Sequence, residues 1–520
     1  MNSPFSRNSL TTLNLELPSM SEVLANRRHA EEIRDQKKRR ARRSYQAAKR
    51  TRLNSGLSVA TTSPRTEIWR GLRPMRAGSR FLARNNDLMK RFLSMLRNNV
   101  AGPTGMQLQC TSPNPEMNTA VEAAWLAWSH PENASANGQL SWIAIQRKFI
   151  STLARDGEVL MRYVLADNPF GFALKFIDVN WLDEQYNERR PGGNRVIMSV
   201  ELDDNDRPVA YWLTPPPDEF NVIPASQQRK RTRVDASEIL HCFLRDDENS
   251  GDDTQTRGVP WGHTAFNTLY QLGVFGEAAI VAAVNGASRM GFLKRPADEV
   301  DPDSQNEGTE EDLPKVDHLE PGEIKYLPAG YEYQESEPAY PHPIYAPFTK
   351  AQKRDIASGL DVNYNSLAND GEGINFSTIR QFLLEDQRNY SALHFLMIEC
   401  LERPVQLRWL KESILNRAVP LKPTDFKFFT EPSFVPTGFD WIDPLKDVQA
   451  TILAIHYGLT TLTDEIAKRG GDITDNFTKR EKELALAKQK NVPLPSTVDF
   501  SVTGGKEKDA KANTDDGEDD

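Results

Sequence analysis

The sequence predicts an α+β protein in which helices and short strands occupy separate stretches of the chain. Apolar residues recur near helical spacing as far as Arg155. Short segments rich in β-branched and aromatic residues follow from Gly157. The chain has 520 residues, which at about 150 residues per domain is enough for two to four domains or for one interrupted domain.

The first folded region, Thr66–Val100, is predicted to be helical and to end at the turn residues of 101–105, AGPTG. Its apolar residues near helical spacing are Phe81, Leu82, Leu88, Phe92, Leu93 and Leu96. A second helix is predicted to carry Trp125 and Trp128, and a third to run from Trp142 to Arg155.

Five strands are predicted after Gly157, because each segment is short, rich in β-branched or aromatic residues and bounded by turn residues. These strands lie at 159–165, 172–178, 196–202, 209–214 and 239–244. They predict a mostly antiparallel sheet.

From Arg257 the pattern returns to helices. A helix is predicted from Gly262 to about Arg289, which at about 1.5 Å per residue would span about 42 Å. The later predicted elements are a polar excursion at 296–313, strands at 324–328 and 331–334, a helix at 348–360, a polar segment at Asn363–Asn375, a helix at 376–418, and two or three helices within 441–490.

The composition argues against a membrane or secreted protein. Hydrophobic residues make up 38% of the chain, the mean hydropathy is −0.59, and no apolar run approaches the roughly 20 residues of a membrane span. The three cysteines (Cys110, Cys242 and Cys400) form no CxxC pair, which argues against a disulfide framework or a cysteine zinc site.

Charge is unevenly distributed along the chain. The net charge is −9, but the segment Arg27–Arg52 holds twelve Lys or Arg and three acids, so the remainder carries −18. The last twenty residues hold seven acids and three lysines and are predicted to form a disordered acidic tail.

The sequence offers no positive support for an enzyme. It has no GxSxG, HExxH, Walker A or GxGxxG motif. His241 and Cys242 are adjacent on a predicted strand, so their side chains point to opposite faces; we interpret them as a satisfied core histidine and a buried cysteine. Asp443-Pro444 is interpreted as a helix N-cap followed by proline at the first helical position. No cofactor and no metal site are predicted.

Ten segments in a fixed order carry a resemblance to the lambda family of tailed-bacteriophage portal proteins. They include ARDGEVLMRYV at 154–164 and RGVPW at 257–261. The others lie at 83–109, 123–128, 176–183, 192–213, 236–243, 319–330, 355–380 and 441–472. The chain departs from the family where Asn375-Phe376-Ser377 replaces the usual paired serines; Arg380 is a candidate match for the arginine that follows them.

The resemblance implies a portal fold of wing, stem, clip and crown that assembles into a ring, typically of twelve subunits, around a central channel. The implied regions are a disordered basic arm (1–65), wing (66–256), first stem helix (258–290), clip (291–346), second stem helix (347–361), channel loop (362–376), wing helix and return (377–440), crown helices (441–490) and a disordered acidic tail (491–520).

It also implies a role and partners. The ring would occupy one capsid vertex of the virion, after assembly in the host cytoplasm. Double-stranded DNA would be packaged through it by terminase and later ejected. The implied partners are the terminase large subunit, the major capsid and scaffold proteins, and head-completion or tail adaptor proteins.

Two groups of residues are candidates for function. The channel-loop candidates are Asn369, Asp370, Gly371, Glu372, Gly373 and Asn375. The candidates in the basic arm, for binding nucleic acid or a partner protein, are Lys37, Lys38, Arg39, Arg40, Arg42 and Arg43. Two alternatives remain at this point: a nucleic-acid-binding regulatory protein that acts through the basic arm, and a hydrolase, for which a nucleophile–base pair would be needed.

Overall fold

The computed structural model describes residues 63–215, 230–245, 254–287, 291–294, 332–335, 343–373, 375–439 and 444–491. The helices of these residues are α1 (Pro64–Asn85), α2 (Asp87–Leu96), α3 (Pro115–Trp128), α4 (Pro131–Ala134), α5 (Trp142–Asp156), α6 (Phe266–Ala287), α7 (Tyr345–Gly359), α8 (Tyr364–Ala368), α9 (Phe376–Met397), α10 (Arg403–Leu415), α11 (Pro444–His456), α12 (Leu462–Ala467) and α13 (Ile473–Lys490).

The strands of the same residues are β1 (Gln107–Gln109), β2 (Glu158–Leu165), β3 (Phe172–Ile177), β4 (Glu188–Arg189), β5 (Arg195–Ile197), β6 (Val200–Leu202), β7 (Pro208–Leu213), β8 (Thr232–Asp235), β9 (Ile239–Phe243), β10 (Gly291–Lys294), β11 (Glu332–Glu335) and β12 (Ser433–Val435). This mixture of helices and strands confirms the predicted α+β class.

The first predicted helical region is two helices rather than one. The chain is extended at Asn86, whose side chain accepts a hydrogen bond from the backbone N–H of Met89 and caps α2. An N-cap of this kind satisfies an N–H that a helix start would otherwise leave without a partner. A π-helical turn, Arg97–Ala101, then ends the region close to the predicted stop.

The strands of the two largest sheets of the described residues pair antiparallel, as predicted, but the five predicted strands divide between two sheets instead of forming one. One has the order β3-β2-β9 and the other the order β4-β5-β6-β7-β8. The predicted single strand at 196–202 is wrong: it is a hairpin of β5 and β6. Met198 and Ser199 form its two-residue turn, both at positive φ, which is the geometry that matches strand twist.

A cluster of four tryptophans lies in the main core. Trp125, Trp128, Trp142 and Trp409 come from α3, α5 and α10, and each is nearly or completely buried. The ring centroids of Trp125 and Trp128 are 4.8 Å apart, and those of Trp125 and Trp409 are 5.0 Å apart. A second, smaller core lies between the two sheets. Aromatic contacts of this kind hold the distant segment of α10 against the first helices.

The predicted helix from Gly262 begins later than expected. Trp261–Thr264 is a 3₁₀ turn, and the α-helix α6 starts only at Phe266. The Thr264 hydroxyl donates to the carbonyl of Gly359 at 2.9 Å, so this turn is held against the end of α7. The predicted strand at 331–334 is present as β11 and pairs with β10, which the sequence did not predict. The predictions for 296–313 and 324–328 lie outside the described residues.

The C-terminal half follows the predicted order with one correction. The polar segment Asn363–Asn375 contains the short helix α8. The predicted helix 376–418 is present as α9, a π-helical turn and α10. The predicted helices of 441–490 are present as α11, α12 and α13. In the described part of the chain, no helix combines the length and apolar character needed to cross a membrane.

Candidate functional site

The channel-loop candidates lie between α7 and α9. Asn369 adopts a left-handed conformation that ends α8, and Asp370 follows it directly. Gly371, Glu372 and Gly373 are exposed. At the far end, the Asn375 side chain accepts a hydrogen bond from the Thr378 N–H at 2.9 Å and caps α9. The structure therefore brings all six candidates into one short segment that joins two helices.

Asp370 binds this segment to α7 and α8. Its Oδ2 accepts hydrogen bonds from the Tyr364 hydroxyl at 2.6 Å and from Lys350 Nζ at 2.9 Å. Its Oδ1 accepts the Glu372 N–H at 3.0 Å. The bonds from Tyr364 and Lys350 lower the pKa of Asp370. Burial together with the same carboxylate raises the pKa of Tyr364 to about 12. At neutral pH Asp370 is therefore ionised and Tyr364 keeps its proton.

A cleft of about 570 Å³ adjoins the segment. Residues of α7, α8 and α9 line it, and the charged ones are Lys350, Arg354, Asp361, Glu372, Glu385 and Asp386. Asp386 is buried and accepts a hydrogen bond from the Asn363 N–H at 3.1 Å. Burial raises the pKa of its carboxyl group. We find no nucleophile–base pair among the residues that line this cleft, and the described residues contain no group of His, Cys, Asp and Glu that could hold a metal ion.

Helix α6 leaves most of its apolar side chains exposed in the single chain. Ile280 is 64% exposed and Val284 is 58% exposed. On the side that packs against α7, the ring of Phe275 stacks on Tyr345 at 5.7 Å and meets Phe348 at 5.4 Å. Neighbouring exposed apolar side chains of this kind normally mark a contact surface.

A buried ionic cluster holds the chain just before α6, and sequence reasoning missed it. Glu158, at the start of β2, is 0% exposed. Its carboxylate accepts hydrogen bonds from Arg257 at 2.6 and 2.9 Å and from Arg76, and it lies 3.0 Å from His241 Nε2. Burial alone would raise the pKa of Glu158, but Arg257 and Arg76 outweigh it and hold the pKa well below its usual value.

Arg257 also donates to three backbone carbonyls. Its guanidinium lies 3.3 Å from the oxygen of Val179, 3.2 Å from that of Leu182 and 3.0 Å from that of Met198. Residues from four of the ten segments that carry the resemblance thus meet at one guanidinium group. The fixed order of these segments was the only sign in the sequence that they belong together. No single segment indicated that Arg257 pairs with Glu158.

The remaining sequence-predicted residues have simple outcomes. The interpretation of His241 and Cys242 is confirmed, because His241 contacts Glu158 and Cys242 is buried. Pro444 begins α11, as predicted, while Asp443 lies outside the described residues. The basic-arm candidates also lie outside the described residues.

The family model and the curated relatives agree on one family. A family model described as phage portal protein, lambda family, matches residues 50–394. The chain is 30% identical over 469 residues to the probable portal protein of Halomonas phage phiHAP-1, covering 87% of this chain and 88% of that protein. It is 28% identical over 199 residues to portal protein B of Escherichia phage lambda, covering 37% of this chain and 36% of that protein. Among solved structures, a chain of the virion of a native gene transfer agent particle is 13% identical, with a TM-score of 0.41, and the match covers 80% of this chain and 96% of that chain.

Proposed function

The chain belongs to the lambda family of phage portal proteins, and on this premise we propose that twelve copies of it form a ring at one vertex of a phage capsid. Double-stranded DNA would pass inward through the ring during packaging and outward during ejection. The terminase large subunit, major capsid and scaffold proteins and head-completion or tail adaptor proteins are the proposed partners. Assembly would take place in the host cytoplasm.

The exposed apolar face of α6 is the observation in the fold that carries the ring proposal. Ile280 and Val284 are exposed to water in the single chain. Burying their apolar surface would be favourable by about 25 cal/mol per Å². A neighbouring copy that packs its own helix against this face of α6 would supply that burial. Because each subunit of a closed ring has two neighbours, both sides of the helix can be covered.

The regions of the portal fold are proposed to follow the predicted bounds. The wing would hold both large sheets, α6 would be the first stem helix, and α7 the second. The segment after α8 would project into the channel, and α11 to α13 would form the crown. The ionic cluster around Glu158 would fix the start of the stem to the wing.

The proposal includes no catalytic step. The family is a structural one, and a conduit for a polyanion benefits from an acidic body that repels phosphate rather than binding it. The alternative of a regulatory DNA-binding protein has no support from the relatives described above, which are named as portal proteins.

Sedimentation of the purified full-length chain tests the proposal. A ring of twelve copies would have a mass about twelve times the 58.7 kDa of one chain. A particle of this size, unchanged on dilution, is the expected result. A monomer or dimer at all concentrations would contradict the proposal and favour the regulatory protein.

A further inference from the structure

The segment that follows α8 is held at its two ends and open between them. Asp370 holds the first end and the Asn375 cap holds the second. Between them, the Glu372 side chain is 87% exposed. A Cβ atom added at Gly371 or at Gly373 would meet no heavy atom within 4 Å. While Asp370 stays in place, the described open part of the segment is limited to residues 371–373.

Asp370 is the residue whose release would lengthen this open part. Its carboxylate binds Lys350 of α7 and Tyr364 of α8, so it ties the segment to two helices at once. Lys350 also lies 3.8 Å from Glu372. Without these side-chain bonds the open part would begin at Asp370 rather than at Gly371, and each added residue extends the reach of a chain by up to about 3.5 Å.

The ion pair between Asp370 and Lys350 is within reach of solvent. Both side chains are partly exposed, so solvent and salt reduce the attraction compared with a buried pair. The tyrosine hydroxyl adds a short hydrogen bond to an ionised acceptor, which is stronger than a neutral one.

We propose that Asp370 is a latch: its bonds to Lys350 and Tyr364 hold residues 371–373 close to the second stem helix, and release of these bonds lets them reach further into the channel. The inference rests on the proposed function, because it assumes that this segment faces the channel. The contact of Asp370 with Lys350 and Tyr364 would then control how far the channel loop extends.

Hydrogen exchange of the assembled full-length protein tests the latch. The variants are Lys350→Met, Asp370→Asn and the double variant, and Lys353→Met on the same helix is the matched control for loss of one positive charge. We expect exchange of the peptide that contains Glu372 and Gly373 to be at least about tenfold faster in both single variants and unchanged in the control. Since both changes break one contact, the double variant should be no faster than Asp370→Asn.

A second measurement separates the latch from the proposed function. Heads assembled with the same variants are assayed for packaged DNA and for its retention. Unchanged exchange in Lys350→Met and Asp370→Asn overturns the latch, whatever the heads contain. Faster exchange with altered DNA retention supports the latch and its place in the channel. Faster exchange with normal packaging and retention leaves a latch in the molecule but overturns the placement of this segment in the channel.

Discussion

Two fully buried carboxylates, Glu158 and Glu402, lie in opposite electrostatic surroundings. Glu158 has two arginines against it, and their charges hold its pKa well below the usual value despite burial. Glu402 lies beside Trp142 and Gln146, yet neither of its carboxylate oxygens has a hydrogen-bond partner of normal geometry among the described residues. Burial raises the pKa of Glu402 well above its usual value. The folded state therefore favours the ionised form of Glu158 and the neutral form of Glu402.

Replacing each carboxylate by an amide should separate these two roles. Glu158→Gln leaves Arg76 and Arg257 buried without a counter-charge, so we expect a loss of about 3–5 kcal/mol in the free energy of unfolding. Glu402→Gln replaces a carboxyl group whose neutral form the folded state favours, so we expect a smaller loss. Urea denaturation of both variants measures the difference. Equal losses would contradict the assignment of charge.

The same two residues predict opposite dependences on pH. Because the folded pKa of Glu402 is raised, the folded state binds the extra proton above the unfolded value near 4.5, and the stability from this group is lost as pH rises. Because the folded pKa of Glu158 is lowered, its contribution is present above its unfolded value and lost as pH falls. The stability of Glu402→Gln relative to the unchanged protein should therefore rise as pH increases above the unfolded value near 4.5. A difference that stays constant across this range would contradict the raised pKa.

The partners in the ionic cluster around Glu158 could not be predicted from local sequence pattern. Arg257 and Glu158 are 99 positions apart, and no periodicity links them. His241 was predictable as a core residue because strand alternation places it, but its partner was not. Burial of a charge depends on which distant group neutralises it, and this information is absent from any short window of sequence.

At the scale of elements, α6 combines a packed side and an exposed apolar side. Ala279 is already buried within the single chain, so a large residue there would disturb the fold as well as the ring. Ile280 and Val284 are the better positions, because their side chains are exposed in the single chain. Substitution there tests the subunit contact by itself.

Ile280→Glu together with Val284→Glu should prevent ring formation and leave the chain folded. A charge placed in an apolar contact remains unpaired and desolvated, which costs several kcal/mol at each of many equivalent contacts. Glu277→Gln on the same helix is the control and should leave rings intact. Circular dichroism and light scattering on the same samples measure folding and assembly; intact rings in the double variant would show that this face is not a contact between subunits.

Helix and strand boundaries were predictable where a specific residue type marks them. The end of α5 at Gly157, with φ +82, follows a pattern that only glycine adopts readily. The β5–β6 hairpin was missed because its turn residues, Met198 and Ser199, are not typical of that turn. Alternation of side chains across 196–202 looked like one strand, since a two-residue turn does not interrupt it.

At the scale of the whole molecule, the charge is divided between a basic segment and an acidic remainder. Residues 27–52 carry +9 and the other residues −18. Around a ring of twelve, the segment would supply well over a hundred cationic side chains. Such a density would bind a polyanion or an acidic protein surface through counterion release, with strong dependence on salt.

A chain lacking Met1–Leu57 should still form rings but should enter proheads less often and bind DNA more weakly. Assembly needs a reversible contact with a partner, which a basic segment can supply, whereas a conduit gains nothing from binding its cargo tightly. Prohead incorporation and DNA binding at two salt concentrations are the measurements. If both stay the same as in the full chain, the basic segment has no part in either process.

Imaging of the purified full-length protein tests the central claim most directly. In negative-stain averages the proposal predicts cyclic particles with a central channel, in end views whose symmetry is close to twelvefold. Compact particles without an axial channel, from protein that circular dichroism shows to be folded, would contradict the account of this chain as the subunit of a DNA conduit.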